Sequence, residues 1–267
     1  MTGSSSGGTE TSGSGDIART LELLWDTGRR PSRGPRPTLT LDQIVEAAVR
    51  IADTEGLDAV SMRRVAAELG TGTMSLYRYV PGKAELLDLM LDRVQRPSDD
   101  PAAPGDGDWR PALEAIARLS LARYQRHPWL LQVDQSRPLI GPSALDAMER
   151  AFSWTKPMGL SDPELLSAVI VIDSYVMGAA RTRLYQQDAE RRTGLTDAEF
   201  WQAQRPMLEK AMTSGRYPTL ASLSEDTFGP DFDHFEFGLQ RILDGLEVLV
   251  AERGKRKQKE KEKEKEK

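Results

Sequence analysis

The run VSMRRVAAELGTGTMSLYRYVPGK, residues 60–83, constrains the fold most, because its periodicity fits two short helices and a tight turn. Ser61 is a candidate N-cap, and Met62, Val65, Ala66 and Leu69 follow at the i, i+3, i+4, i+7 spacing that lays apolar side chains along one face. Gly70 ends that helix. After the turn, residues 73–80 supply small polar groups, two tyrosines and Arg78, while Leu76 and Val80 keep an inward face. Two helices joined in this way place the second in the major groove of DNA, its N-terminal residues towards the base edges.

Upstream, Thr40 can cap a helix in which Leu41, Ile44, Val45, Ala48, Ile51 and Ala52 form one apolar stripe, with Gly56 as its C-terminal stop. Downstream, Leu87, Met90, Leu91 and Val94 repeat the stripe in a fourth helix. On these residues the chain resembles the tetracycline-repressor (TetR) family: a capped first helix ending in EG, then SMRRVAAELG, then TMSLYRYVPGKAELL. In that resemblance LYRYV is the recognition helix and Lys83 opens the next helix. The resemblance covers residues 40–95 and extends over 109–251, where RHPWL at 126–130 and FEFGLQRILDGLEVLV at 235–250 look like the family's C-terminal domain.

Charge distribution agrees with a nucleic-acid partner even though the net charge is −5. Residues 253–267 carry nine Lys/Arg against four Glu, and residues 1–37 carry five Arg against four acids, so the stretch between them is strongly acidic. A DNA-binding protein can be acidic overall when its cations are focused on the docking face. Arg29, Arg30, Arg33 and Arg36 precede the first helix, and Arg63, Arg64, Arg78 and Lys83 lie in the reading unit. The acidic remainder equally serves solubility.

The fold class expected is all-α: an N-terminal three-helix helix-turn-helix DNA-binding domain followed by a C-terminal helical ligand-binding and dimerisation bundle. Residues 1–37 read as a disordered, basic extension, Gly/Ser/Thr-rich over 1–15, with a short amphipathic helix near 16–26 and a Pro-rich arm. Residues 38–95 form the DNA-binding domain, 96–108 a linker, 109–252 the effector and dimerisation domain, and 253–267 a charged low-complexity tail expected to be disordered. Within the second domain, helices are expected over 109–127, 142–155, 162–187, 196–213 and 235–250. The second domain has no strand signature of alternating residues with hairpin turns, whereas helical stripes recur throughout.

Roles in the reading unit follow from residue chemistry. Arg63 can reach a guanine edge bidentately or a phosphate. Thr73, Met74 and Ser75 sit where the recognition helix meets bases, and Met74 suits a thymine methyl. Tyr77 and Tyr79 suit phosphate contacts through their hydroxyls, although one of them can equally be core; the resemblance points to Tyr77 at the interface. Arg78 fits base or phosphate, and Lys83 phosphate. The chain has no Asn, so the Asn–adenine contact is ruled out. Arg33 and Arg36 can enter the minor groove, or simply line a solvated linker.

One short helix cannot select a genomic site, so a twofold homodimer on a pseudo-palindromic double-stranded operator is expected. The resemblance implies a four-helix dimer bundle, which falls here on Val176 and Ala180 of one helix and on Leu239, Ile242, Leu246 and Leu249 of the last; the alternative is that these are only core. It also implies a pocket for a small, largely apolar effector, with Trp129, Phe152, Tyr175 and Met177 as candidate lining, each of which can instead be core. No metal and no cofactor are expected. The only histidines are His127 and His234, and aligning SRP at 136–138 with the family's TRP puts Val133 where the prototype's metal-binding histidine stands.

Other classes fare worse. There is no cysteine, and no Walker loop, zinc pair, nucleophile elbow or dinucleotide fingerprint, so an enzyme is disfavoured. A helical protein-interaction adaptor would leave the Arg63–Lys83 pattern unexplained. The first 15 residues lack the basic start and apolar core of a secretory signal, and no run is expected to reach the roughly 20 apolar residues of a membrane span, so a cytoplasmic protein is expected.

Overall fold

The computed structural model describes residues 10–25, 39–96, 108–224, 227 and 232–265. These residues form helices and no strand, apart from one isolated bridge between Thr11 and Asp134. The chain divides into two units, between Val169 and Ile170, and the division falls within a helix.

In the first unit, Asp16 caps α1 (Ile17–Leu24), accepting from Arg19 N at 3.0 Å. Thr40 caps α2 (Leu41–Glu55) through a reciprocal box with Gln43, which settles two orphan donors at once. Then come α3 (Met62–Glu68), α4 (Thr73–Leu76) and α5 (Lys83–Arg93). Ile44, Ile51, Val65, Leu76, Val80, Leu86 and Met90 close the core between them, each at most 1% exposed. The unit continues with α6 (Trp109–Arg126), stopped ahead of Pro128, and α7 (Pro142–Thr155). α6 and α7 thus fall in the same unit as the helices of the N-terminal domain.

Carboxylates of α5 and α2 tie the segments of this unit together. α5 is buried on nearly all sides, including Glu85, Asp88 and Asp92. A carboxylate survives burial only with hydrogen-bond donors around it. Asp92 receives Ser143 N at 3.3 Å and Ala144 N at 3.0 Å, and so caps α7, whose own N-cap Gly141 has no side chain to offer. Asp88 receives Ser12 Oγ at 2.6 Å and Gly13 N at 3.0 Å, and Glu85 receives Asp16 N at 2.9 Å. Asp53 of α2 meets the turn that follows α6.

The contacts to Asp88 and Glu85 correct the expectation of disorder for the end of the Gly/Ser/Thr-rich stretch. Residues 10–15 lie along α5, and Gly13 holds φ +70°, a left-handed conformation that suits glycine. A Cβ on Gly15 would fall on the Glu85 carboxylate. Small residues with free N–H groups are what a buried carboxylate requires, so the composition that reads as disorder serves docking here. Residues 1–9 and the Pro-rich arm, with Arg29, Arg30, Arg33 and Arg36, lie outside the described residues, as do residues 97–107.

α8 (Asp162–Thr193) is longer than its stripe predicts. It is, among the described residues, the one helix long and apolar enough to cross a membrane by length and composition, contrary to the expectation that no run is. Ser167, Asp173 and Ser174 interrupt the run on paper, whereas the helix reads through them. In the second unit, α9 (Asp197–Thr213) is opened by a Thr196–Glu199 capping box and buries none of its residues. The N–H and hydroxyl of Thr196 hold the Glu199 carboxyl below its usual range. A short turn, α10 (Pro218–Ala221), precedes α11 (His234–Lys265).

α11 corrects the second expectation of disorder, since it runs through the charged tail to Lys265. Helix nucleation is the costly step, and the packed half of α11, with Leu239 and Leu243 fully buried, has already made it. Lys, Glu and Arg then propagate the helix cheaply. Within this unit the Tyr175 hydroxyl donates to His234 O at 3.0 Å and Phe235 O at 2.9 Å, and the two rings of Tyr175 and Phe235 stack at 5.7 Å. Burial, reinforced by Asp233 and Glu236, raises the Tyr175 pKa and so preserves its proton. Because the folded value is raised, the contribution is present in neutral solution and is lost as pH climbs past the ordinary phenol range near ~10. Tyr175→Phe should cost about 1 kcal/mol in urea unfolding at neutral pH, with the gap from the parent narrowing in alkali.

Candidate nucleic-acid interface

Ser61 accepts from Arg64 N at 3.1 Å, which fixes the start of α3 and therefore its phase. Met62, Val65 and Ala66 turn inward, leaving Arg63 exposed. Gly70, at φ +64°, makes the turn that glycine tolerates, and Thr71 N returns to Ala66 O at 3.0 Å. α4 is then held from beneath by Leu76 and Val80, both fully buried. Its other side carries Met74, which is 77% exposed, with Tyr77 and Arg78 also exposed. Thr73, Ser75 and Tyr79 are half-buried.

The cations of this unit divide into two groups. Arg64 is occupied: its guanidinium donates to Glu55 at 2.6 Å and to Glu68 at 3.0 Å. These bonds raise its pKa, and the Arg64 bond in turn lowers that of Glu55. Lys83 is occupied as well, its Nζ standing 2.7 Å from Glu10 Oε1. Arg63 and Arg78 have no ion-pair partner among the described residues. The accessible positive charge is therefore narrower than the sequence suggests, and it flanks Met74 and Tyr77. The neutralised Arg64 was visible in principle, because Glu68 lies four residues on along the same helix face. The Glu10 partner had no local signal, since 73 positions separate it from Lys83.

Comparison with known proteins decides what this arrangement belongs to. Residues 44–90 match the bacterial regulatory proteins of the tetR family, and residues 100–250 match the tetracyclin repressor-like C-terminal domain. The chain belongs to the TetR family. The HTH-type transcriptional repressor DrrR1 of Streptomyces coeruleorubidus is 79% identical over 247 residues, which cover 92% of each chain. An HTH-type transcriptional regulator of Saccharopolyspora erythraea is 30% identical over 85% of this chain and 92% of its own. Among solved structures, the Streptomyces coelicolor TetR family protein ActR in complex with actinorhodin aligns with a TM-score of 0.64 at 31% identity, covering 78% of this chain and 95% of that one. As a TetR-family member this chain is a transcriptional regulator with a helix-turn-helix, and the family is one of regulators, not enzymes.

The residues expected to line an effector pocket fall in both units, two in each. Trp129, 1% exposed, donates its indole N–H to Asp53 at 2.8 Å, so it belongs to the core of the first unit. Phe152 is half-buried on α7 in the same unit, whereas Tyr175 and Met177 are half-buried on α8 in the second. A surface concavity near the C-terminal end of α8 is lined by Tyr185, Asp188, Arg191 and Arg192.

The expected dimer stripe is also divided. Val176, Ala180 and Leu239 are already buried in the single protomer. Ile242, Leu246 and Leu249 are half-buried. The large apolar side chains left in the open are Leu166, Ile170, Val171 and Tyr185 on α8 and Phe237 and Val248 on α11. A stripe sustained over four turns is evidence of burial, without saying which of two neighbours does the burying, and sequence alone cannot separate them. Of the histidines, His127 binds Asp53, and His234 opens α11 beside Phe232.

Proposed function

We propose that this regulator represses transcription by holding a pseudo-palindromic operator as a homodimer, and that a small organic effector bound in its C-terminal half releases it. The observation that carries the reading is the outer side of α3 and α4, where Arg63, Met74, Tyr77 and Arg78 stand exposed over a fully buried Leu76 and Val80. Unpaired guanidinium groups suit guanine edges or phosphates, and an exposed methionine suits a thymine methyl. Thr73, Ser75 and Tyr79 supply shorter polar contacts at the rim.

The dimer is assigned to the exposed apolar residues of α8 and α11. A helix apolar around most of its circumference needs a second neighbour besides its own core, and this explains the length and composition of α8 without a membrane. The likeness to the repressor DrrR1 supports repression, and the likeness to ActR in complex with actinorhodin supports an organic effector.

Arg63→Ala and Arg78→Ala should each weaken operator binding about tenfold or more, because each half-site loses a contact of about 1 to 3 kcal/mol. Thermal unfolding should stay within a degree or two of the parent, since neither guanidinium has an ion pair among the described residues to lose. Operator sites come from selection of genomic fragments by the purified protein, read out by mobility shift. Unchanged binding in both variants would remove this docking surface. Actinorhodin is the first effector probe, scored by release of the selected site.

A further inference from the structure

Lys83 opens α5 directly after the recognition helix, where a cation would meet a phosphate, yet its Nζ is 2.7 Å from Glu10 Oε1. Both side chains are one-third exposed, so neither is sealed from solvent or from an incoming anion. Glu10 is not placed there by chance of a long side chain. Asp134 N donates to Glu10 O at 2.9 Å and Ser12 N to Asp134 O at 3.0 Å, which fixes the backbone on one side. On the other side Ser12 and Gly13 are bound to Asp88, 2% exposed, and Asp16 N to Glu85. Two glycines, one left-handed and one too close to Glu85 for a side chain, give the segment the shape that this docking needs.

We propose that Glu10 is a positioning residue for operator binding, held by the docked segment 10–16 so that its carboxylate competes with the DNA phosphate for Lys83. The inference rests on the DNA-binding reading above. In the free protein the pair neutralises Lys83. On the operator, phosphate takes the lysine and Glu10 is left to recruit a cation from solution. That uptake cancels part of the counterion release that drives binding, so the contact adds less affinity and less salt dependence than a free lysine would. The segment thereby sets the affinity below what the reading unit alone would reach.

The test is a double-mutant cycle in the full chain: Glu10→Gln, Lys83→Gln and both together, measured on the selected operator from low to high salt. Glu10→Gln should tighten binding about three- to tenfold at low salt, as expected for two exposed ion pairs removed per dimer. It should also steepen the slope of log K against log salt by about 0.9 per protomer. In the Lys83→Gln background the same change should do nothing. Weaker or unchanged binding by Glu10→Gln, or an equal gain without Lys83, overturns the proposal. Failure of the parent to bind any selected site is a different outcome, which overturns the DNA-binding reading and this inference with it.

Discussion

Phe237→Glu combined with Val248→Glu should yield a folded monomer whose operator affinity is lower by about a hundredfold or more. Phe237 is 53% exposed and Val248 61% exposed, and they lie 11 residues apart, three turns along the same side of α11. Neither contributes to the core, since the buried residues of that helix, Leu239 and Leu243, point the other way. Surface changes of this kind seldom move stability by more than about 0.5 kcal/mol, so helicity and the unfolding midpoint should hold. Across a twofold interface, however, each carboxylate is presented twice and must be desolvated without a partner. Sedimentation should then show a single protomer, and the binding isotherm should lose half of the base contacts. A protein that remains dimeric would place the interface elsewhere. The long exposed α9, with Phe200, Trp201 and Met207 in the open, would be the next surface to disrupt.

The prediction uses residues that the sequence pattern passed over, and the reason is general. Helical periodicity reports that a face is apolar. It found α2, α3, α5, α7 and the packed part of α11, because apolar residues recur there at helical spacing. It cannot report whether a stripe faces its own core or a second copy, so Val176, Ala180 and Leu239, buried in the single protomer, read equally as core or as interface from the pattern alone. The helix-turn-helix was legible for a different reason: Ser61, Gly70 and the inward Leu76 and Val80 fix the phase, and phase alone dictates which side chains stand outward. What escaped were contacts between residues far apart in sequence. Glu10 with Lys83, Ser12 with Asp88, and Asp92 with the start of α7 join segments whose local composition reads as linker or solvated charge. Likewise the repetitive tail reads as disorder until it is seen to continue a helix already nucleated.

A second large effect is expected at Asp53. Its Oδ1 accepts from the indole N–H of Trp129 at 2.8 Å and faces Nδ1 of His127 at 2.8 Å. A carboxylate oxygen in this position can only accept, so Nδ1 carries a proton and the imidazole is oriented by the contact. Asp53→Ala therefore strands two donors at once, one of them on a side chain that is 1% exposed. Removing one partner of a buried hydrogen bond costs more than the bond itself contributes, about 1 to 3 kcal/mol for each group left unsatisfied. A loss of about 3 kcal/mol is expected in urea unfolding followed by tryptophan fluorescence. Asp53→Asn keeps a carbonyl oxygen for both donors and should lose less than half as much, whereas Trp129→Phe removes the donor itself and should fall between the parent and Asp53→Ala. Equal losses for Asn and Ala would mean that the carboxylate charge, and not the acceptor, holds the turn after α6 against α2. That order also separates packing from polarity: if Trp129→Phe proves the worst of the three, the indole's volume matters more than its hydrogen bond, and the link between the reading head and the turn after α6 is chiefly apolar.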